Sequence, residues 1–208
     1  MTPSAEKEAK RPYDLGRRLD QMDQSRAAIL RAAQAQLKAK DYRRLTMASL
    51  AAESGVTRQT IHNLFGTKTA VLEAVFDVIA LDGGMDKMRE AMTQPSVETM
   101  LQGFVQVFSS FWAKNRLLVR RIHAIGAIDP ELGAVIEARN RRRFLAARRV
   151  VRAIDPEREQ EQRAALLAAL TSFEFFDALA ENSSENVEST VLELARNALF
   201  AKRDASRT

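Results

Sequence analysis

The chain has 208 residues and a mass of 23.3 kDa, and its 8 glycines and 5 prolines against 33 alanines exclude turn-rich β-sandwiches and barrels and point to an all-α protein. It has no cysteine and 2 histidines, which removes disulfides, thiolate metal sites, cysteine nucleophiles and the paired histidines of zinc hydrolases, so no metal and no cofactor are expected. The net charge of +5 is uneven: residues 1–70 hold 13 Lys/Arg against 7 Asp/Glu and residues 113–153 hold 11 against 3, so the basic N-terminal third predicts a polyanion partner.

Residues 1–22 are polar and interrupted by Pro3, Pro12 and Gly16. They predict a flexible basic arm, carrying Lys7, Lys10, Arg11, Arg17 and Arg18. The arm has no apolar signal core, and no apolar run in the chain approaches a membrane span. A cytoplasmic protein with no membrane partner is expected. Asp23 or Ser25 then caps a helix to about Ala39, with Ala28, Ile29, Ala32, Ala33, Gln36 and Leu37 on one stripe. Asp41-Tyr42 breaks it.

Thr46 caps a short helix, Met47 to Ser54, and Gly55 stands where a helix ends in the left-handed conformation. Thr57 caps a third helix that Gly66 ends, and Thr67 caps a fourth, running to Gly83-Gly84 with Leu72, Val75, Phe76 and Ile79 inward. Only Val56 and Thr57 fall between the second and third helices, which is helix-turn-helix spacing. Leu50, Val56, Ile61 and Phe65 are expected to lock this pair. The outer face of the third helix carries Arg58, Gln59, Thr60, His62 and Asn63. Arginine reads guanine edges and glutamine or asparagine adenine edges in the major groove of double-stranded DNA.

The stretch from Leu45 to Lys68 resembles the DNA-binding signature of TetR-type transcriptional regulators. The likeness lies in spaced features: the Thr46 cap, the turn Ser54-Gly55-Val56-Thr57, the Thr60-to-Phe65 core spacing, and Lys68 three residues after that Phe. Two positions depart from the pattern. The family commonly has Tyr at the position of His62, and His or Tyr at that of Leu64. Leu64 has no hydrogen-bonding group, so the implied phosphate contacts fall to Thr46, His62 and Lys68. Lys68 opens the fourth helix, where its ammonium and the helix dipole would act together. The candidate DNA-binding set is therefore Thr46, Thr57, Arg58, Gln59, Thr60, His62, Asn63 and Lys68.

In the remaining two thirds, Ser96 caps a helix to about Ala113 and Asn115 is expected to cap the next. Asp129-Pro130-Glu131 starts a helix to about Ala153. Asp155-Pro156-Glu157 repeats the signal, for a helix expected to reach about Glu181. A last helix covers about 186–201. The final pair of helices is apolar nearly all round, which predicts a homodimer built as a four-helix bundle from Leu166, Leu170, Phe173, Phe176, Val191, Leu194 and Ala198. The resemblance implies the same dimer, and it also implies a pocket for a small effector. From the inward stripes, Phe104, Phe108, Trp112 and Phe144 would form its walls, with His123 and Asn140 as polar anchors. The arginine run Arg139, Arg141, Arg142, Arg143, Arg148, Arg149 and Arg152 spreads around its helix. It predicts a solvated face paired with acidic neighbours.

The expected organisation is an arm (1–22), a three-helix DNA-binding domain (23–66), and a helical effector-binding and dimerisation domain (67–208). The expected function is that of a non-enzymatic regulator, most simply a repressor released from a palindromic operator by a mainly apolar small molecule. A helix-turn-helix regulator without an effector is the alternative. A helical enzyme built on His123 with Glu174 or Asp177 is a remote one, because no nucleophile motif or cofactor loop is visible.

Overall fold

The computed structural model describes residues 13–39, 45–157, 160–182 and 186–200. Ten α-helices and one 3-10 turn account for them, with no strand among the described residues. The chain divides into two units, residues 1–71 and 72–208.

The first unit is organised by caps. In α2 (Met47–Ser54) the Thr46 hydroxyl accepts from the Ser49 backbone N–H, and the Ser49 hydroxyl accepts from the Thr46 N–H, a reciprocal box that satisfies two orphan donors. Gln36 of α1 (Tyr13–Lys38) accepts from that same Ser49 hydroxyl at 3.0 Å and donates to Glu53 at 2.8 Å, which ties α1 to α2. Gly55 closes α2 at φ 72°, a left-handed conformation where a Cβ would add strain. Thr57 caps α3 (Arg58–Phe65) by accepting from the Thr60 N–H. Leu45, Leu50 and Ile61 are fully buried between these helices.

Two features of this unit differ from expectation. First, α1 begins at Tyr13, so residues 13–22 are helix and not arm. Leu, Arg, Gln and Met between positions 15 and 22 are good helix formers, and the single Gly16 costs only about 1 kcal/mol. Lys7, Lys10 and Arg11, and the break at Asp41-Tyr42, lie outside the described residues. Second, the Phe65 ring is half-exposed and carries the Arg26 guanidinium 4.5 Å above its centre.

In the second unit, α4 (Lys68–Asp82), whose first turn belongs to the first unit, leads to a 3-10 turn at Met85–Lys87 and a single-turn α5 (Met88–Ala91). α6 (Val97–Gly126) is one helix of 30 residues where two were expected. Asn115 does not cap. Its side chain donates to the Phe111 carbonyl, one turn back, at 3.1 Å. No Pro or Gly interrupts the run from Ala113 to Arg116, so nothing forces a stop there.

α7 (Pro130–Ile154) starts as predicted, with the Asp129 carboxylate accepting from the Glu131 and Leu132 N–H groups. The expected helix from 156 to 181 is instead two, α8 (Gln160–Leu170) and α9 (Phe173–Asn182). The Thr171 hydroxyl bonds back to the Leu167 carbonyl, and the Ser172 hydroxyl accepts from the Phe175 N–H and restarts the chain as α9. The break leaves the Thr171 carbonyl free of the helix ladder, and the Trp112 indole donates to it at 3.0 Å. α10 (Val187–Phe200) ends the described chain.

α7 packs on α6 and α8, and α10 lies against α6 and α8. Where the end of α6 meets the start of α7, a Cβ on Gly133 would stand 2.8 Å from the Gly126 carbonyl oxygen. Only glycine allows that approach. Phe104, Leu101, Ile122, Leu132, Leu167 and Leu199 are fully buried, each contributing about 1.5–3 kcal/mol.

Candidate DNA-contacting surface and ligand cavity

In the first unit α3 has two faces. Ile61 turns inward with no exposure, while Arg58, Gln59, His62 and Asn63 stand exposed, at spacings that place them on one side of the helix. Thr57 and Thr46 are also exposed, and Thr60 is half-buried. The Gln59 amide donates to the Asn63 side chain at 2.9 Å, so the two amides present as a fixed pair. The His62 Nδ1 donates to the Gly66 carbonyl at 2.8 Å, which orients the ring and leaves Nε2 for another partner. Lys68 opens α4 as expected but is only 9% exposed, the most covered of the candidate set. Leu64 is half-buried.

The second unit holds a partly open cavity of about 250 Å³. Its apolar walls come from Phe76 and Ile79 of α4, Met85 and Met88, Phe108, Trp112 and Ile122 of α6, and Ile136 of α7. His123, Asn140, Arg139, Arg142 and Arg143 supply its polar groups. Of the six expected lining residues, Phe108, Trp112, His123 and Asn140 meet at this cavity. Phe104 does not: it lies one turn earlier on α6, fully buried behind Phe108 with ring centres 5.1 Å apart. Phe144 does not either. The lining stripe of α7 runs through 136, 139, 140 and 143, and position 144 falls beside it.

Three arginines expected on a solvated face thus border the cavity. Arg139 follows the expected pattern, pairing with Asp77 at 2.7 Å, donating to the Glu73 carbonyl and lying over Phe76. Arg148 also pairs, with Glu161. Arg143 differs. It is half-buried, its Nη1 donates to the Asn140 side-chain oxygen at 3.1 Å, and its Nε is enclosed without a partner. Burial pushes its guanidinium below the ordinary arginine value, partly offset by the charge of Glu174. Its position one turn after Asn140 was the available signal in the sequence. The α4 lining, Phe76 and Ile79, was read only as core.

His123 and Glu174 form a pair, with the imidazole Nδ1 donating to Oε1 at 2.8 Å. That hydrogen bond holds the Glu174 carboxyl at about 2, below the ordinary 4.5, with its own backbone N–H and the charges of His123 and Arg143 adding to the effect. A depressed carboxyl contributes stability that is fully present above pH 4.5 and is lost as the pH falls toward 2. Because the Glu174 side chain is 63% exposed, solvent screening reduces this to about 1 kcal/mol. Chemical denaturation between pH 2 and 6 should therefore show Glu174→Gln losing about 1 kcal/mol less than the native chain over that interval. Parallel curves would sink the linkage. Nearby, Asp177 receives the Arg120 and Arg116 guanidiniums at 2.6–2.8 Å, which hold it below the usual carboxylate range.

The expected subunit-contact residues fall into two groups. Leu166 is 42% exposed, Leu194 is 40% exposed, and Ala198 is half-buried. Phe173, Phe176 and Val191 lie inside the protomer, with Phe173 only 3% exposed against Trp112 and His123, and Leu170 is nearly covered. A side chain already packed in its own core is not available to a second copy. The break after Leu170 is the cause, because it turns the Phe-rich segment of α9 inward. Among the described residues no His, Cys, Asp and Glu cluster suits a metal, and no helix is long and apolar enough to cross a membrane.

Residues 29–75 match the family model described as bacterial regulatory proteins, tetR family. No curated protein matches the chain. Among solved structures it is similar to a TetR transcription regulator from Haloarcula marismortui, at a TM-score of 0.60 and 16% identity, covering 86% of this chain and 97% of that one. It is also similar to the TetR family transcriptional regulator PfmR from Thermus thermophilus, at a TM-score of 0.50 and 17% identity, covering 83% and 97%.

Proposed function

We propose that this chain, whose residues 29–75 match the family model of the tetR bacterial regulatory proteins, is a ligand-responsive homodimeric regulator acting in the cytoplasm, a repressor released from a palindromic operator by a small, mainly apolar effector. The observation that carries the reading is the exposed face of α3, where Arg58, Gln59, His62 and Asn63 stand together opposite the buried Ile61. Two such helices, one from each copy, read half-sites about 34–36 Å apart. Leu166, Leu194 and Ala198 are the surface on which the second copy sits.

The cavity is where the effector binds. Phe76 and Ile79 of α4 line it, and the same helix begins at Lys68, so α4 is the element whose position an occupant biases. An effector releases DNA only if it binds the DNA-free conformation more tightly. By linkage, operator DNA weakens effector binding by the same factor. The cavity favours this reading over a regulator with no small ligand.

The test begins with operator fragments selected from random DNA by the immobilised protein. On those fragments Arg58→Ala should relax the choice of guanine at one position of each half-site and also flatten the slope of log affinity against log salt by roughly one unit. Gln59→Ala should leave that slope unchanged and relax base choice at one position of each half-site, a loss of about 1–3 kcal/mol on the preferred base. Unaltered salt slope and sequence choice in both variants would remove α3 as the reading helix.

A further inference from the structure

Arg143 makes one hydrogen bond, through Nη1 to Asn140. Its Nε and Nη2 donate to nothing among the described residues, and Nε is sealed from solvent. Nη2, unlike Nε, is not sealed, and a charged terminal nitrogen left without a partner beside an apolar space is a ready donor to a carboxylate oxygen.

The other charges around the cavity leave Nη2 open. Arg139 is held by Asp77 and the Glu73 carbonyl. Glu174, the acidic group that acts on Arg143, has Oε1 engaged by His123 and makes no hydrogen bond to the guanidinium. Arg142 stands exposed at the cavity lining with no acidic partner among the described residues. The site is therefore positive on balance, and the remaining walls are apolar.

We propose that the ligand of this cavity is a compact organic anion, a carboxylic acid with an apolar body, whose carboxylate accepts from Nη2 of Arg143. This rests on the reading of the cavity as the effector site. At about 250 Å³ the space lies just below the roughly 300–1,000 Å³ of most small-molecule sites, so the acid is small, with its hydrocarbon against Phe76, Phe108 and Trp112. Arg143, one helical turn beyond Asn140, is the residue that makes the site select an acid over its neutral counterpart.

Trp112 is the chain's single tryptophan and lines the cavity, so its fluorescence reports occupancy directly. The probes are octanoate against octanamide, and cyclohexanecarboxylate against cyclohexanecarboxamide, titrated into the full-length protein. Each acid should bind roughly tenfold or more tightly than its amide, the contribution of a charge-assisted hydrogen bond. In Arg143→Met the acid and amide should bind alike, with the amide affinity little changed. Arg143→Lys should recover part of the preference, and Arg143→Gln serves if the Met variant does not fold. Equal binding of acid and amide to the native protein, or a preference that survives in Arg143→Met, overturns the anion assignment and leaves the cavity standing as an effector site. No response of Trp112 to any of the four probes overturns the cavity reading as well.

Discussion

Leu166→Glu and Leu194→Glu, each made alone, will convert the native species into single chains of 23.3 kDa. Both leucines are about two-fifths exposed on the outer faces of α8 and α10, helices that lie against each other. In the proposed dimer these two leucines face the second copy. A carboxylate there has no partner once water is excluded, and such a group costs about 3–5 kcal/mol when forced into a dry interface. Far-UV circular dichroism should remain helical, because neither side chain fills the protomer core. Operator affinity should fall by about 10²–10⁴, since one chain loses the effective concentration that its tethered partner supplies at the second half-site. Phe173→Glu provides the contrast. Phe173 is packed inside the protomer, so this change should unfold the chain instead of dividing the dimer. Light scattering that finds soluble, folded dimers for both leucine variants would remove α8 and α10 from the interface.

Legibility in the sequence followed the range of the interaction. The helix-turn-helix was readable because each boundary is set within four residues: Thr46 with Ser49, Gly55 with Ala51, Thr57 with Thr60. Its helices fall at the expected positions. Asn115 misled because one amide serves two local purposes, capping a new helix or bonding back to Phe111, and the neighbouring residues decide nothing. The interruption at Thr171-Ser172 was hidden for a different reason. Its hydroxyls are compatible with a continuous helix, and the partner of the freed carbonyl is Trp112, 59 residues away in the chain. Tertiary contact decides that boundary, and with it the inward turn of Phe173 and Phe176.

The cavity was legible in the same graded way. Phe108, Trp112, His123 and Asn140 lie on stripes that periodicity finds. Arg143 also lies on the stripe, but arginines on a basic helix are normally solvated, and the partial burial of its guanidinium, with only Nη1 hydrogen-bonded, exists only in three dimensions. Phe104 illustrates the converse. Periodicity places it on the right face, yet depth along α6 puts it behind Phe108 instead of beside the space. Spacing resolves the direction in which a side chain points, and packing resolves what it meets.

Trp112→Ala should be among the most damaging truncations to alanine in the second unit. The indole is nearly buried, with Phe111 4.7 Å and Phe173 5.5 Å from it between ring centres, and its N–H satisfies the Thr171 carbonyl. Truncation removes both. Large-to-small changes at a buried tryptophan cost about 3–5 kcal/mol in lost contact and residual cavity. An orphaned buried carbonyl adds about 1–3 kcal/mol, less whatever water entering the new space returns. A loss of about 4–5 kcal/mol is expected, a large share of the roughly 5–15 kcal/mol that holds a domain folded. Trp112→Phe separates the two contributions. It keeps an aromatic ring against Phe111 and Phe173 and loses the donor, so about 1–2 kcal/mol should go. Both variants lack the only tryptophan, so unfolding in urea is followed by far-UV circular dichroism, at one fixed chain concentration because the proposed dimerisation would contribute to apparent stability. If Trp112→Phe costs as much as Trp112→Ala, the hydrogen bond to Thr171 dominates and the break between α8 and α9 depends on it. If Trp112→Ala costs less than about 2 kcal/mol, below the range for burying such a ring, the aromatic cluster does not hold the helices around the cavity in place.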